Sequence, residues 1–123
     1  MATWREIGQE NYAAARDLLG LKQYRSSVSR FYYAAFSLLT HELREAGITF
    51  GDNQETPNHK GLPKLVKLHL PVAYRQECVA IVRRLYAARI DADYHRRTTN
   101  EAVAEDARRD AASLLRYLGD QNG

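Results

Sequence analysis

Apolar residues recur along this chain at steps of three and four, and nowhere is there a sustained two-residue alternation. Between Thr3 and Gly20 the apolar positions Trp4, Ile7, Ala14 and Leu18 fall on one helical face, interrupted by Asn11, with Thr3 as the N-cap. From about Tyr24 to Ala46 a longer stripe follows, made of Val28, Tyr32, Ala35, Leu39, Leu43 and Ala46 and closed by Gly47. The segment "ITFGDNQETPNHKG" is rich in turn residues and has no period, so it reads as a loop. "LPKLVKLHL" reads as a short helix. Pro71 suits the first turn of the next one, which is expected from about Pro71 to Tyr94 with Cys78, Ile81, Leu85, Ala88 and Ala92 inward. The last helix opens on a capping box of Thr98 and Glu101, carries Val103, Ala107, Ala111, Leu114 and Leu118, and gives way to a polar "GDQNG".

These elements predict an all-α protein, an antiparallel up-and-down bundle of about five helices forming a single domain over residues 1–123. Two long central helices, the second and the fourth, are expected to carry the core with shorter helices around them. No internal repeat is visible.

Composition narrows the chemistry. The net charge of +3 is compatible with a polyanionic partner without requiring one. The single cysteine, Cys78, excludes an internal disulfide and a cysteine zinc cluster, and its apolar neighbours make it a core residue. "MATWREIGQENY" contains no long apolar run, and no stretch approaches the roughly 20 apolar residues of a membrane span, so a cytoplasmic protein with no membrane association is expected. There is no glycine-rich phosphate loop. His41, His59, His69 and His95 are scattered, Ser26, Ser27 and Ser29 stand outside any nucleophile-elbow pattern, and neither a metal nor a cofactor is expected.

The candidate chemistry sits in "YAARIDADYHRR". Arg89 and Asp93 are four residues apart and can pair, as can Asp91 and His95. A carboxylate beside an imidazole can fix its tautomer and raise its pKa, and a guanidinium can grip a phosphate with its fork of donors. That set would suit phosphodiester chemistry without a metal. On a regular helix, however, Arg89 and His95 lie roughly 120° apart. They converge only if the helix loosens near Tyr94 or if copies from a second subunit meet. Spacing alone therefore favours a helix-end histidine and a structural Arg89–Asp93 pair. On the second helix, Arg30 and Tyr33 lie off the apolar stripe and could line a cleft shared with Arg89, with Tyr33 stacking on a base.

Three stretches in order, "SRFYYAAF", "HKG" and "LYAARIDADYH", resemble the HEPN family (higher eukaryotes and prokaryotes nucleotide-binding domain), above all its small stand-alone prokaryotic members. The matching positions are Ser29 to Ala34, then His59, Lys60 and Gly61, then Arg89, Ala92, Asp93 and Tyr94. The resemblance covers nearly the whole chain and implies a helical bundle that forms a homodimer. Many such proteins are metal-independent endoribonucleases of toxin–antitoxin and defence systems, whose signature of an arginine, four to six residues and a histidine is met by Arg89 and His95. The implied site has Arg89, His95 and Asp91 as catalytic residues, with Arg30, Tyr33, Asp93 and Tyr94 binding RNA or nucleotide. A nucleotidyltransferase-type antitoxin is the implied partner. Two positions depart from the pattern: Ile90 stands where nuclease members carry a polar residue, and Arg97 stands where some toxins carry a modified tyrosine. The second class left open is a non-catalytic module that binds a nucleotide or pairs with a nucleotidyltransferase-type protein.

Overall fold

The computed structural model describes residues 1–96 and 99–118. Within them the chain forms five helices: α1 (Trp4–Gly20), α2 (Tyr24–Glu45), α3 (Leu62–His69), α4 (Arg75–Tyr94) and α5 (Glu101–Leu118). The all-α bundle expected from the periodicity is the observed architecture. Only α3 is short; α1 and α5, at 17 and 18 residues, are nearly as long as the 20-residue α4, so the long elements are four rather than two.

α2 is the centre of the bundle and packs on each of the other four helices. It is buried on nearly every side. Val28, Tyr32, Ala35, Leu39 and Leu43 are buried as the stripe predicts, but so are Phe31, Ala34, Phe36 and Leu38 on other faces, whereas Ala46 is exposed. Two buried hydroxyls on α2 are satisfied by backbone carbonyls: Ser27 Oγ donates across to Ala15 of α1 at 2.8 Å, and Thr40 Oγ1 to Phe36 of its own helix at 2.8 Å. The helix closes with Gly47 in the left-handed conformation (φ 84°), where the N–H groups of Gly47 and Ile48 cap the carbonyls of Arg44 and Leu43.

The inward face of α1 is turned by one residue from the expected one. Gly8 and Ala15 are buried and Tyr12 and Leu19 pack on the core, while Trp4, Ile7, Ala14 and Leu18 sit half-buried on the flanks. The physical reason is Gly8. A Cβ there would lie 2.8 Å from Leu38 Cγ and 3.0 Å from the Ala34 carbonyl oxygen, so the two backbones approach closely only because this residue has no side chain. Thr3 does cap α1, in a reciprocal capping box with Glu6. α1 stops at Gly20 as expected, and the left-handed residue that turns the chain out of it is Lys22 (φ 63°).

One further boundary differs from expectation. Residues 71–74 form a turn, so α4 begins at Arg75 and Pro71 precedes it; the proline in a helical first turn is Pro63, in α3. Cys78, Ile81, Leu85 and Ala92 are buried on α4 as predicted, joined by Val82, with Ala88 half-buried. The capping box expected from Thr98 and Glu101 turns on a residue outside those described, as do Arg97 and the polar end from 119. Asn100 Oδ1 accepts the Val103 N–H at 3.0 Å and caps α5. Burial pushes the Cys78 thiol up to about 12, consistent with an inert core residue.

Residue pairings give the helix directions. Arg25 meets Ala92 and Tyr32 meets Arg89, so α2 and α4 run antiparallel. Arg84 binds Asp110 through two hydrogen bonds of 3.0 and 2.8 Å, tying α4 to α5. Among the described residues, no helix is long and apolar enough to cross a membrane.

Two substitutions test this packing in thermal or denaturant melts. Leu85→Ala should lower stability by roughly 2–5 kcal/mol through lost burial and a cavity. Gly8→Ala should also destabilise, by about 1–3 kcal/mol, although alanine is the better helix former. A Gly8→Ala protein as stable as wild type would mean that α1 and α2 are not in this close contact.

Candidate functional site

The site is built where the end of α4 crosses the first half of α2. Arg89 projects from α4 over two rings of α2, its guanidinium carbon 5.4 Å from the Tyr33 centroid and 5.9 Å from that of Tyr32. Asp93, one turn on, places Oδ2 2.9 Å from Arg89 Nε. Nε is buried and makes no aligned hydrogen bond, so charge rather than hydrogen-bond geometry holds this pair. The side chain of Arg89 is 16% exposed. Its two Nη groups make no hydrogen bond to another described residue and remain as donors.

The other half of the helix end is open. His95 follows the last helical residue, and its side chain is 59% exposed. Its Nε2 stands 3.9 Å from Asp91 Oδ1, a loose contact in which the aspartate is also mostly in water. The backbone beneath it is fixed. Arg25, from the first turn of α2, donates from Nη1 to the carbonyls of Ala92 and His95, both at 2.6 Å. The carbonyls at a helix C-terminus lack intrahelical donors and carry partial negative charge, which a guanidinium offsets. The imidazole of His95 is thus open to solvent on an anchored chain.

The structure therefore joins some predicted site residues and separates others. Arg89, Asp93 and Tyr33 meet. Asp91 and His95 meet, on a different side of the helix end. Tyr94 is 68% exposed. Arg30 is turned to α1, where its Nη1 donates to Asn11 Oδ1 at 3.1 Å, so the cleft expected between Arg30 and Arg89 is not formed by this pairing.

One residue joins the site that spacing did not assign to it. His59 comes from the loop before α3 and lies within a cage of aromatic rings: Phe36 at 4.6 Å between centroids, Tyr32 at 5.5 Å, Tyr33 at 6.0 Å and Tyr86 at 6.1 Å. Nδ1 is hydrogen-bonded to the Tyr32 hydroxyl. The loop is held for this purpose by buried Pro57 and by Asn58, whose Oδ1 accepts the Gly61 N–H at 2.6 Å. Burial, and then the positive charge of Arg89, push the His59 pKa below its ordinary value, favouring the neutral imidazole. Burial likewise pushes the Tyr32 phenol up, so it stays protonated. The sequence did mark His59, within "HKG", but only the fold brings that loop to Arg89. Arg25 left no local signal at all, because its partners are backbone carbonyls of a distant helix. Among the described residues, no group of three or more histidine, cysteine, aspartate or glutamate side chains is gathered as for a metal ion.

Comparison with known proteins gives a family. The HEPN domain model matches residues 1–121. A protein of Methanocaldococcus jannaschii named "Putative toxin" is 34% identical over 104 residues, which are 83% of this chain and 71% of that protein. No solved structure matches.

The depressed pKa of His59 has a consequence for stability. A histidine that resists protonation when folded leaves the unfolded chain binding more protons. Stability should be fully present above the ordinary histidine pKa of about 6.5 and should fall as pH drops from there toward the lowered folded value. In melts recorded across that window, His59→Gln should flatten the acid side of the profile. An unchanged profile would mean that His59 titrates as it does in the unfolded chain.

Proposed function

The chain belongs to the HEPN domain family, and on that premise we propose that it is a toxin-type member that cleaves RNA without a metal ion, as a homodimer within a toxin–antitoxin pair. The observation that carries this reading is the end of α4, where Arg89, Asp91 and His95 lie within two turns and the His95 backbone is anchored by Arg25 while its imidazole is open to solvent. The named toxin similarity of the relative supports it.

In the proposed reaction the ribose 2′-OH attacks the adjacent phosphorus and the 5′-oxygen leaves, giving a 2′,3′-cyclic phosphate. His95 accepts or delivers the proton, Asp91 orients its ring, and the free Nη groups of Arg89 stabilise the charge on the phosphate oxygens. Asp93 holds Arg89 in place, and Tyr33, with Tyr94 at the exposed edge, offers rings to the RNA. Within one chain Arg89 and His95 face different carboxylates, Asp93 and Asp91. A second copy, docked with its α4 end against the first, would bring the histidine of one to the arginine of the other. A nucleotidyltransferase-type protein is the partner that such a toxin would have.

One observation favours a second reading, a non-catalytic module that binds a nucleotide or such a partner. Arg89 is mostly buried, paired with Asp93 and laid on two tyrosine rings, which is also how a purely structural arginine is held.

Purified protein and a structured RNA decide between them. Arg89→Ala and His95→Ala should each abolish cleavage while keeping the helical spectrum, Asp91→Asn should lower the rate less, and chelators should leave it unchanged, since side chains carry the proton and the phosphate charge. DNA should resist, because it lacks the attacking hydroxyl. Light scattering at micromolar concentration should give a dimer. Full activity in His95→Ala, or a monomer that cleaves, would sink the composite site. An inactive wild type whose nucleotide binding is lost in Arg89→Ala would establish the second reading.

A further inference from the structure

Beside the Arg89 site, α3 and α4 enclose a cavity of about 240 Å³ lined by Tyr32, His59, Lys60, Pro63, Val82, Arg83 and Tyr86. Its walls are rings and aliphatic surface. Its rim carries two cations and no carboxylate. We propose that this cavity seats one unpaired nucleotide of an RNA strand, its base against Tyr86 and its phosphate between Lys60 and Arg83; the proposal rests on the RNA reading above and adds a binding subsite to it.

Size supports a single base. Pockets for drug-sized ligands run to about 300–1,000 Å³, and this one is smaller, suited to one ring system. The walls supply a stacking face. Tyr86 and His59 lie at 22° to each other with centroids 6.1 Å apart, and every base has a π-face that such rings accept. With Nδ1 of His59 occupied by Tyr32, Nε2 is left as its polar atom for a base edge.

Charge supports a strand rather than an uncharged ligand. Lys60 and Arg83 are both exposed. Arg83 also borders a second cavity of about 190 Å³ lined by Lys67, Gln76 and Val79, so cations continue along the surface in one direction. The groove between α4 and α5 has a different character: its Arg84 is already paired with Asp110, and its Asp106 with Arg109. Position supports a link to the chemistry. Tyr32 is shared, lining the cavity on one side and lying under the Arg89 guanidinium on the other. A strand with one base in the cavity would thus carry a neighbouring phosphate toward Arg89.

The test uses the full chain and a fluorescent single-stranded pentanucleotide of 2′-O-methyl RNA, which cannot be cut by 2′-OH attack, so binding is read apart from cleavage. Anisotropy titrations should show Tyr86→Ala weakening binding roughly ten- to hundredfold, the range for loss of a base-stacking ring. In Lys60→Ala/Arg83→Ala the slope of log affinity against log salt should become shallower by about 1.4, the loss of two phosphate contacts to a single strand. Because both side chains are exposed, the double variant keeps its core even if Tyr86→Ala unfolds. An unchanged affinity and salt slope in the double variant overturns the assignment, as does a wild type that fails to bind the oligonucleotide. Tight binding with this dependence but no cleavage of unmodified RNA would leave the subsite standing and remove the nuclease.

Discussion

A phenol buried in the middle of a helical bundle must find a partner. Tyr32 is fully buried on the most enclosed helix of the protein, and a hydroxyl left unpaired there would cost on the order of 1–3 kcal/mol. The partner is His59, drawn from a loop that has no regular structure of its own. This single bond fixes much else. It sets the ring of His59 against Phe36 and Tyr86, fixes the loop that leads into α3, and presents the upper face of the Tyr32 ring to Arg89. The result is a continuous aromatic floor shared by the arginine and the neighbouring cavity.

Burial keeps both groups on that floor neutral, and the charge of Arg89 reinforces it at His59 while opposing it at Tyr32. Desolvation and the nearby guanidinium both disfavour a cation on His59, and desolvation disfavours an anion on Tyr32. Both groups are held neutral, leaving Arg89 as the charge over the rings, with Asp93 offsetting part of it. His95 stands in a contrasting setting, in water at the helix end with a loosely placed aspartate. The two histidines have different environments: His59 is caged among rings, where the neutral form is favoured, whereas the His95 ring is open to solvent.

The end of α4 is held from outside its own sequence. Arg25 supplies donors to the carbonyls of Ala92 and His95 that the helix itself cannot satisfy. A site borne on a helix terminus gains accessibility at the expense of order, because terminal turns fray. A guanidinium from the central helix restores that order without covering the side chains.

The five helices and most of their inward faces were legible in the order of residues. Apolar spacing is a local property that survives into the fold, as Val28, Leu39, Leu43, Ile81 and Leu85 show. The pairings of Arg89 with Asp93 and of Asp91 with His95 were legible for the same reason, since a four-residue step on a helix places two side chains together whatever surrounds them. The face of α1 was not legible, because it depends on Gly8 meeting Leu38 and Ala34, a contact between helices that hydrophobicity does not encode. Nor was the opposite turn of Arg30, whose side chain follows Asn11 of another helix. The meeting of His59, Tyr32 and Arg89 was decided only by the tertiary structure. Their contacts span 27 and 57 positions of chain, and they form because a buried hydroxyl and an aromatic cage must be satisfied in three dimensions, a demand that no local spacing records.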